Sequence, residues 1–589
     1  MKTECGLIGT FINNPLAKED LWFTLSEIQH RGQDSYGFVS IHPSNSNNND
    51  NNNGNNNGNN NGNESGFEAK ITKNKGLLPP MDLLDLNVDG GMLFLGHMRY
   101  STNTTIENLD DSNSLIDCNI QPFEISKEYG IYIAHNGNLP NLKDNMQRLK
   151  LEKYYKNGMS DTYLFKIIWN IKFAGQFKQG GKTCKLEDIL EYLKYILLNV
   201  VGAYSLVMTF CQPLINSTTR TSISSLESNT SDSSCDDIMI INNHRYYLLG
   251  VRDRYGYKPL SIGKLVSNKS IPGDNDIASD KPLRYNYCFF SESVQLQYNK
   301  YFIRDVAPGE IWYTEMNNEP RLLGRIRDKK EYNLVVDKPE SIKNRLGFMC
   351  SLEAIYFMKK DTLLFNANTT VNNFRRCIGV ELGKQEIYKL ANILNPTNPY
   401  IYEYDARQVL KKKVVLYIPE SAYGIAQGYS DILETWIRND LISKVQNIRS
   451  FIENTNEARE GKLKRKFLFN DEGIAALGNA EIILIDDTIV RGNSMRYVIG
   501  ELYKRNPALK IHLRIGSPRL IKGCSFGIDL YDDELIANKE EDLAKWLGVA
   551  SIEFLDINKL AELFSKYNML NCQHCFGVSN KYNKKTLEW

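Results

Sequence analysis

Asp486 and Asp487 stand side by side at the end of an apolar run, Ile482 to Ile485, and Thr488, Arg491, Gly492, Asn493 and Ser494 follow them. Such a run fits an internal strand of a parallel sheet, and Met495 to Lys504 reads as a helix. A small-residue loop between strand and helix offers backbone N–H groups and a helix N-terminus to a phosphate. The two carboxylates suit ribose hydroxyls, or a Mg²⁺ ion already holding a pyrophosphate. An Asp-Asp pair alone is an ordinary solvated turn; the whole ordered run points to a sugar phosphate. Near the other end, Cys5 opens CGLIG. It reads either as a small core residue or as a nucleophile. Removal of Met1–Glu4 would leave it an α-amino group of pKa about 8, able to act as base for its own thiol. Cys572 and Cys575 have the C-x-x-C spacing that brings two thiolates to one metal. Two further cysteines would complete a site for zinc or for an iron–sulfur cluster, and spacing does not choose between them.

The stretch from Glu481 to Ser494 resembles the 5-phosphoribosyl-1-pyrophosphate (PRPP) signature of the type I phosphoribosyltransferases. Cys5, His30–Gly37 (HRGQDSYG), Arg99–Thr102 (RYST), His135–Leu139 (HNGNL) and Ser160-Asp161-Thr162, in that order, resemble the class II glutamine amidotransferases. The two halves in one chain resemble the amidophosphoribosyltransferases, in their iron–sulfur-bearing, propeptide-processed form. The resemblance implies conversion of glutamine, PRPP and water to 5-phosphoribosylamine, pyrophosphate and glutamate, the first step of de novo purine synthesis. It gives Cys5 the role of nucleophile, Asn136 and Gly137 the oxyanion hole, and Arg31 a place beside the nucleophile. Arg99 would bind the glutamine carboxylate and Asp161 its ammonium. Asp486, Asp487, Thr488, Arg491, Gly492, Asn493 and Ser494 would bind PRPP, with Ser421, Asp486 and Asp487 at Mg²⁺. Cys350, Cys524, Cys572 and Cys575 would hold a [4Fe–4S] cluster. Purine nucleotides as feedback inhibitors and a homotetramer are further implications.

Some stretches depart from the family pattern. Ser443–Ile448 lacks the tyrosine and glycine of the usual PRPP loop before Arg449–Ile452, Met358–Asp361 replaces Arg-Pro-Asp-Ser, and Lys258 stands where arginine is usual. A lysine does not reproduce bidentate guanidinium contacts. Two other readings are a PRPP- or nucleotide-sensing regulator with impaired catalysis, and an amidotransferase with another sugar-phosphate acceptor.

These residues need two domains to position them, and 589 residues are too many for one core. We expect a leader at 1–4, then a glutaminase domain at 5–335 folded as an N-terminal-nucleophile αββα sandwich. A phosphoribosyltransferase α/β domain with a parallel sheet should follow at 346–589, ending in the Cys-x-x-Cys segment. Polar inserts at about 44–65 and 216–237, and a shorter one near Ser267–Lys281, have no apolar face and are expected to be disordered. Short strands are expected at Met92–Leu95, Gly130–Ile133, Val414–Ile418 and Ser551–Leu555, and Tyr36–Ile41 should pair with Phe67–Ile71 as a hairpin. Lys+Arg 71 against Asp+Glu 70 gives a net charge of +1, no electrostatic case for nucleic acid or an anionic membrane. No apolar run is long enough for a bilayer, so the expectation is a cytoplasmic protein. Eleven scattered cysteines favour catalysis or metal over disulfides.

Overall fold

The structure, a computed structural model, describes residues 5–12, 18–44, 66–100, 119–139, 142–178, 183–214, 240–266, 285–293, 300–326, 347–364, 366, 368–445, 466–524, 526–528 and 530–578. The expected leader, nearly all of the inserts, Ser101 and Thr102, and the loop residues 446–452 lie outside these. The chain divides into two units, Lys2–Lys343 and Asn344–Trp589.

In the first unit two antiparallel sheets pack face to face. One runs Lys300–Asp305, Ser261–Val266, Tyr285–Phe290, Gly6–Phe11, Leu93–Arg99, Ser35–Pro43, Phe67–Lys75. The other runs Arg321–Arg325, Glu310–Glu315, His244–Arg252, Ala203–Pro213, Ile131–Asn138, Phe123–Ser126. Side chains alternate across a strand, and here both faces are covered. Leu7, Val39, Leu95, Ala134, Val207 and Leu248 fill the space between the sheets. Ile8, Phe38 and Met98 face outward against Leu21, Leu25 and Ile28 of helix Lys18–Ile28. Ile133, Leu206 and Leu249 face outward against helices Tyr163–Ile168 and Leu186–Asn199. Helix, sheet, sheet, helix is the expected αββα sandwich. The same alternation puts His97, Arg99 and Asn136 on the inter-sheet side and His135 on the helix side.

The hairpin forms as expected, with Pro43 opposite Phe67. One strand is longer than expected. Ile131–Asn138 continues through the HNGN residues because its backbone still pairs with the neighbouring strand, Asn136 with Ser205 and Asn138 with Ala203. Polar side chains hide that continuation from a reading based on hydrophobic alternation.

The second unit holds a parallel sheet in the order Val414–Tyr417, Glu481–Asp486, Lys510–Ile515, Ser551–Phe554. Val415, Ile483 and Ile485 pack under helices Val371–Leu394 and Tyr423–Leu433. Leu416, Ile482, Leu484, Ile511 and Leu513 pack against Met495, Val498 and Leu502 of helix Asn493–Arg505. Burial on both faces is why Ile482–Ile485 is an unbroken apolar run. A separate parallel pair joins Gly347–Cys350 to Met569–Cys572. No helix of the described residues is long and apolar enough to cross a membrane.

Candidate functional site

Cys5 is buried at the start of strand Gly6–Phe11. The Tyr100 N–H donates to its sulfur at 3.5 Å, and the thiol lies 3.6 Å from the Tyr100 carbonyl. Arg31 Nε donates to the Cys5 carbonyl at 3.0 Å. Arg31 Nη1 is in turn bonded to Glu292 Oε1, which also lies 2.9 Å from His30 Nε2. Burial alone would raise the Glu292 carboxyl pKa. The charges and hydrogen bonds of His30 and Arg31 outweigh that and hold it well below the usual carboxylate range. Gly32 lets this turn lie on the end of the Arg99 strand, since a Cβ there would sit 2.4 Å from the Met98 carbonyl carbon. Arg99 is buried, and its carbonyl accepts from Asp34 N at 3.1 Å.

Asn136 and Gly137 lie on the facing sheet. Gly137 has φ +155°, and a Cβ would meet Ala203 O at 2.1 Å. No side chain fits there. Asn136 is buried, yet its Nδ2 has no hydrogen-bond partner among the described residues. A buried amide donor left unpaired is costly, and it is the kind of group that stabilises a developing oxyanion. Asp161 Oδ1 accepts from Thr162 N at 2.8 Å and Oδ2 from Leu139 N at 2.9 Å. Its carboxylate is thus anchored to the HNGNL segment. His97 Nε2 reaches the His135 carbonyl at 3.1 Å, joining the Arg99 strand to the Asn136 strand. Burial pushes the His97 imidazole down to about 3, so it is neutral and donates through Nε2. A buried thiol on one sheet, with a guanidinium on its carbonyl, and an unpaired amide donor on the facing sheet suit acyl transfer from an amide.

In the second unit the acidic pair ends strand Glu481–Asp486. Asp487 is buried, accepts from Ser421 Oγ through Oδ2 and from Thr488 Oγ1 at 2.8 Å, and its N–H donates to Asp486 Oδ1 at 2.9 Å. Desolvation raises both carboxyl pKa values, and the Asp487 charge raises Asp486 further; Ser421 and Thr488 partly offset the rise at Asp487. Burial and then these two carboxylates also push the Tyr356 phenol up. Two adjacent desolvated carboxylates with a hydroxyl fit a divalent cation held mainly by substrate phosphates. Gly492 precedes helix Asn493–Arg505, whose N-terminus has no side-chain cap. Asn493 is exposed and Ser494 half-buried beside it, so donors remain for a phosphate. Two expected ligands are already engaged: the Thr488 hydroxyl on Asp487 and Arg491 on Glu534.

Cys350 and Cys572 are register partners on adjacent strands, and Cys575 follows in the turn His574–Phe576. The Cys575 carbonyl accepts from Ile521 N at 2.9 Å and Lys522 N at 3.1 Å, next to Cys524. Burial pushes the Cys572 thiol up to about 12 and the Cys575 thiol up as well, with Cys524 adding to both. The four sulfurs are the right donors for a cluster. Among the described residues, however, no three His, Cys, Asp or Glu side chains converge as a metal-binding set. Of the other cysteines, Cys184, Cys211 and Cys288 are buried and Cys377 is half-buried, while Cys118 and Cys235 lie outside the described residues.

Sequence reasoning overlooked the contacts made by Glu292, Gln121, Tyr100, His97 and Thr162. Glu292 sits in YCFFSES, which reads only as a strand end; a lone acid after an apolar run was the available signal. The Tyr100 contribution is backbone, which side-chain types do not reveal.

No protein-family model matches the chain. It is 26% identical over 585 residues to an amidophosphoribosyltransferase of Methanocaldococcus jannaschii, covering 98% of this chain and 97% of the relative. It is 27% identical over 565 residues to an amidophosphoribosyltransferase of Escherichia coli, covering 95% and 88%. A solved structure of the allosteric regulatory enzyme of purine biosynthesis superposes with a TM-score of 0.63 at 20% identity, covering 98% of this chain and 96% of the other. The glutamine PRPP amidotransferase from B. subtilis, complexed with ADP and GMP, gives 0.62 at 20%, covering 98% and 97%. These solved structures share the fold of this chain along nearly its whole length.

Proposed function

We propose that this chain is a glutamine-dependent amidophosphoribosyltransferase that performs the first step of purine biosynthesis. Glutamine and water give glutamate and ammonia in the first unit. Ammonia and PRPP give 5-phosphoribosylamine and pyrophosphate in the second. What carries the reading is two chemistries in one chain, matched along its length by relatives named for that reaction. The first is a buried thiol on one sheet and an unpaired amide donor on the other; the second is an acidic pair beside an open helix N-terminus.

In the first half-reaction the Cys5 thiolate attacks the glutamine carboxamide, and the carbonyl oxygen takes up negative charge against Asn136 Nδ2 and the Gly137 N–H. Collapse releases ammonia and leaves a γ-glutamyl thioester, which water hydrolyses to glutamate. Arg99 pairs with the substrate carboxylate, and Asp161, acceptor-only when ionised, takes the ammonium. Arg31 holds the Cys5 carbonyl and so fixes the nucleophile. If residues 1–4 are removed, the Cys5 amine is the local base. In the second half-reaction ammonia attacks the anomeric carbon as pyrophosphate leaves. The open helix N-terminus at Gly492–Ser494 and the loop around Thr488 and Arg491 bind the 5-phosphate. Asp486, Asp487 and Ser421 are the residues that would hold Mg²⁺, which when bound neutralises charge on the pyrophosphate.

A [4Fe–4S] cluster on Cys350, Cys524, Cys572 and Cys575 belongs to the same proposal, and no catalytic step uses it. Inhibition by purine nucleotides, a homotetramer and a cytoplasmic location complete the reading. The first test is stoichiometry: glutamate and pyrophosphate should appear in equal amounts, each requiring both substrates for full rate. Glutamate without PRPP-dependent pyrophosphate would refute it. Intact mass of anaerobically purified protein tests the rest. A denatured chain starting at Cys5, with a native mass excess matching the cluster, is expected. Retained Met1 refutes the free-amine nucleophile, and absence of the excess refutes the cluster.

A further inference from the structure

The five residues from His135 to Leu139 carry the oxyanion donors in their middle and are fixed at both ends by one dipeptide. Thr162 Oγ1 lies 2.9 Å from His135 Nδ1, and Asp161 Oδ2 accepts from Leu139 N at 2.9 Å. Gln121 closes the ring of contacts. Its Oε1 accepts from His135 N at 2.6 Å, and its Nε2 donates to Thr162 Oγ1 at 3.2 Å. The His135 carbonyl is held separately by His97 at 3.1 Å. The residue preceding Asn136 is therefore held at its N–H, its carbonyl and its ring. Phe165 and Tyr204 flank that ring edge-on, at 5.5 and 6.4 Å between centroids.

Thr162 and Gln121 are buried, so their polar groups need partners inside the fold. Burial is the main influence lowering the His135 pKa, with Lys258 also lowering it and Asp161 opposing. A neutral His135 makes one bond through Nδ1, and the Thr162 hydroxyl serves it as either donor or acceptor. A dry apolar core would fill this space without such a network. These polar contacts instead fix a single orientation of the strand just before its two donors.

We infer that Thr162 and Gln121 are positioning residues for the oxyanion hole, acting through His135 on the side-chain donor of the adjoining Asn136. The inference rests on the glutaminase reading above. A misaligned donor costs transition-state stabilisation while leaving ground-state binding nearly untouched. Thr162→Val keeps the side-chain shape and removes the hydroxyl.

The experiment is glutamine hydrolysis by the full-length protein, with alkylation of Cys5 by iodoacetamide in parallel. Alkylation needs the thiol but no oxyanion hole. Thr162→Val should lower kcat about tenfold, with KM for glutamine within about twofold and the alkylation rate unchanged. Thr162→Ser should restore most of the loss. In an Asn136→Ala background the same Thr162→Val change should cost less than about twofold, because the donor it positions is gone. Equal losses in both backgrounds, or a wild-type kcat in Thr162→Val, would overturn the inference. So would a fall in kcat matched by a fall in alkylation. If Thr162→Val does not fold, Gln121→Leu breaks the ring from the other side and is read by the same criteria. A wild-type protein that hydrolyses no glutamine would instead overturn the glutaminase reading, and the two failures are thereby distinct.

Discussion

Glu292 and Asp486 are both carboxylates at the heart of a polar cluster, yet their surroundings act on them in opposite directions. Glu292 lies between Arg31 and His30 and is held ionised despite complete burial. Asp486 lies beside Asp487, and desolvation and like charge both raise its pKa. In the first unit the countercharges come from the chain itself, so the site is complete before substrate arrives. In the second, the chain brings anions together, and the charges of Lys466 and Arg375 offset only part of the rise, which leaves the pair suited to an incoming cation. The contrast matches the chemistry proposed for each. Thioester formation needs a fixed nucleophile and fixed donors. Pyrophosphate departure needs a cation that arrives with the leaving group.

If the sites are separable in this way, the largest effects should be selective. Cys5→Ala is expected to lower glutamine-dependent turnover at least about a thousandfold while ammonia and PRPP still react. Changing Asp486 and Asp487 together to Asn should lower PRPP-dependent turnover about a hundredfold or more, with basal glutaminase retained. Steady-state assays with glutamine or ammonia as nitrogen donor read both. Loss of both activities in either variant would break the comparison.

Stability should separate the two carboxylates next. Glu292→Gln removes a buried anion from the Arg31 guanidinium and is expected to cost about 3–5 kcal/mol in urea unfolding. Because the folded pKa is lowered, the Glu292 contribution is fully present above the unfolded carboxyl pKa of about 4. It is lost only as pH falls toward the lower folded value.

Asp486→Asn should act with the opposite sign. A folded pKa raised above the unfolded one means the ionised group destabilises the fold at neutral pH. That penalty fades as pH falls through the raised value. The Asn variant without Mg²⁺ should therefore be more stable than wild type at pH 7, by about 1 kcal/mol, and less responsive to pH. A destabilised Asp486→Asn protein would mean that the acidic pair is compensated by the chain after all.

How much of this could be read from the residues follows the same division. The strand at Ile482–Ile485, the helix after Ser494 and the acidic pair were plain because local order and local types carry them. The structure extends that helix only slightly, to Asn493–Arg505. The αββα order was implied by the family resemblance of the spaced motifs, and the hairpin was legible from the two runs that flank the insert. What was not legible is non-local. Glu292 meets Arg31 across 261 residues, and Gln121 meets Thr162 across 41. No periodicity marks either pair, since each joins residues whose neighbours are ordinary core. The converse also occurred: Thr488 and Arg491 have the right types for phosphate binding, but their side chains are engaged by Asp487 and Glu534.

The smallest effect is expected from the Asn-rich insert. Strands Ser35–Pro43 and Phe67–Lys75 pair through their whole length, and Ser44 N donates to Gly66 O at 3.1 Å just beyond the last pair. The hairpin is therefore closed on either side of the insert without help from it. Deleting 46–62 leaves Asn45 and Asn63–Ser65 to turn the chain, a length within the ordinary hairpin range of about two to five residues. Shortening the loop between paired strands also lowers the entropy cost of closing it, by about 0.6 kcal/mol for each halving. Glutaminase activity should stay within about twofold of wild type and the urea midpoint should rise slightly. A collapse of glutaminase activity on this deletion would show that the insert contributes to the nucleophile site, and would break the view that the first unit is complete in its own sheets.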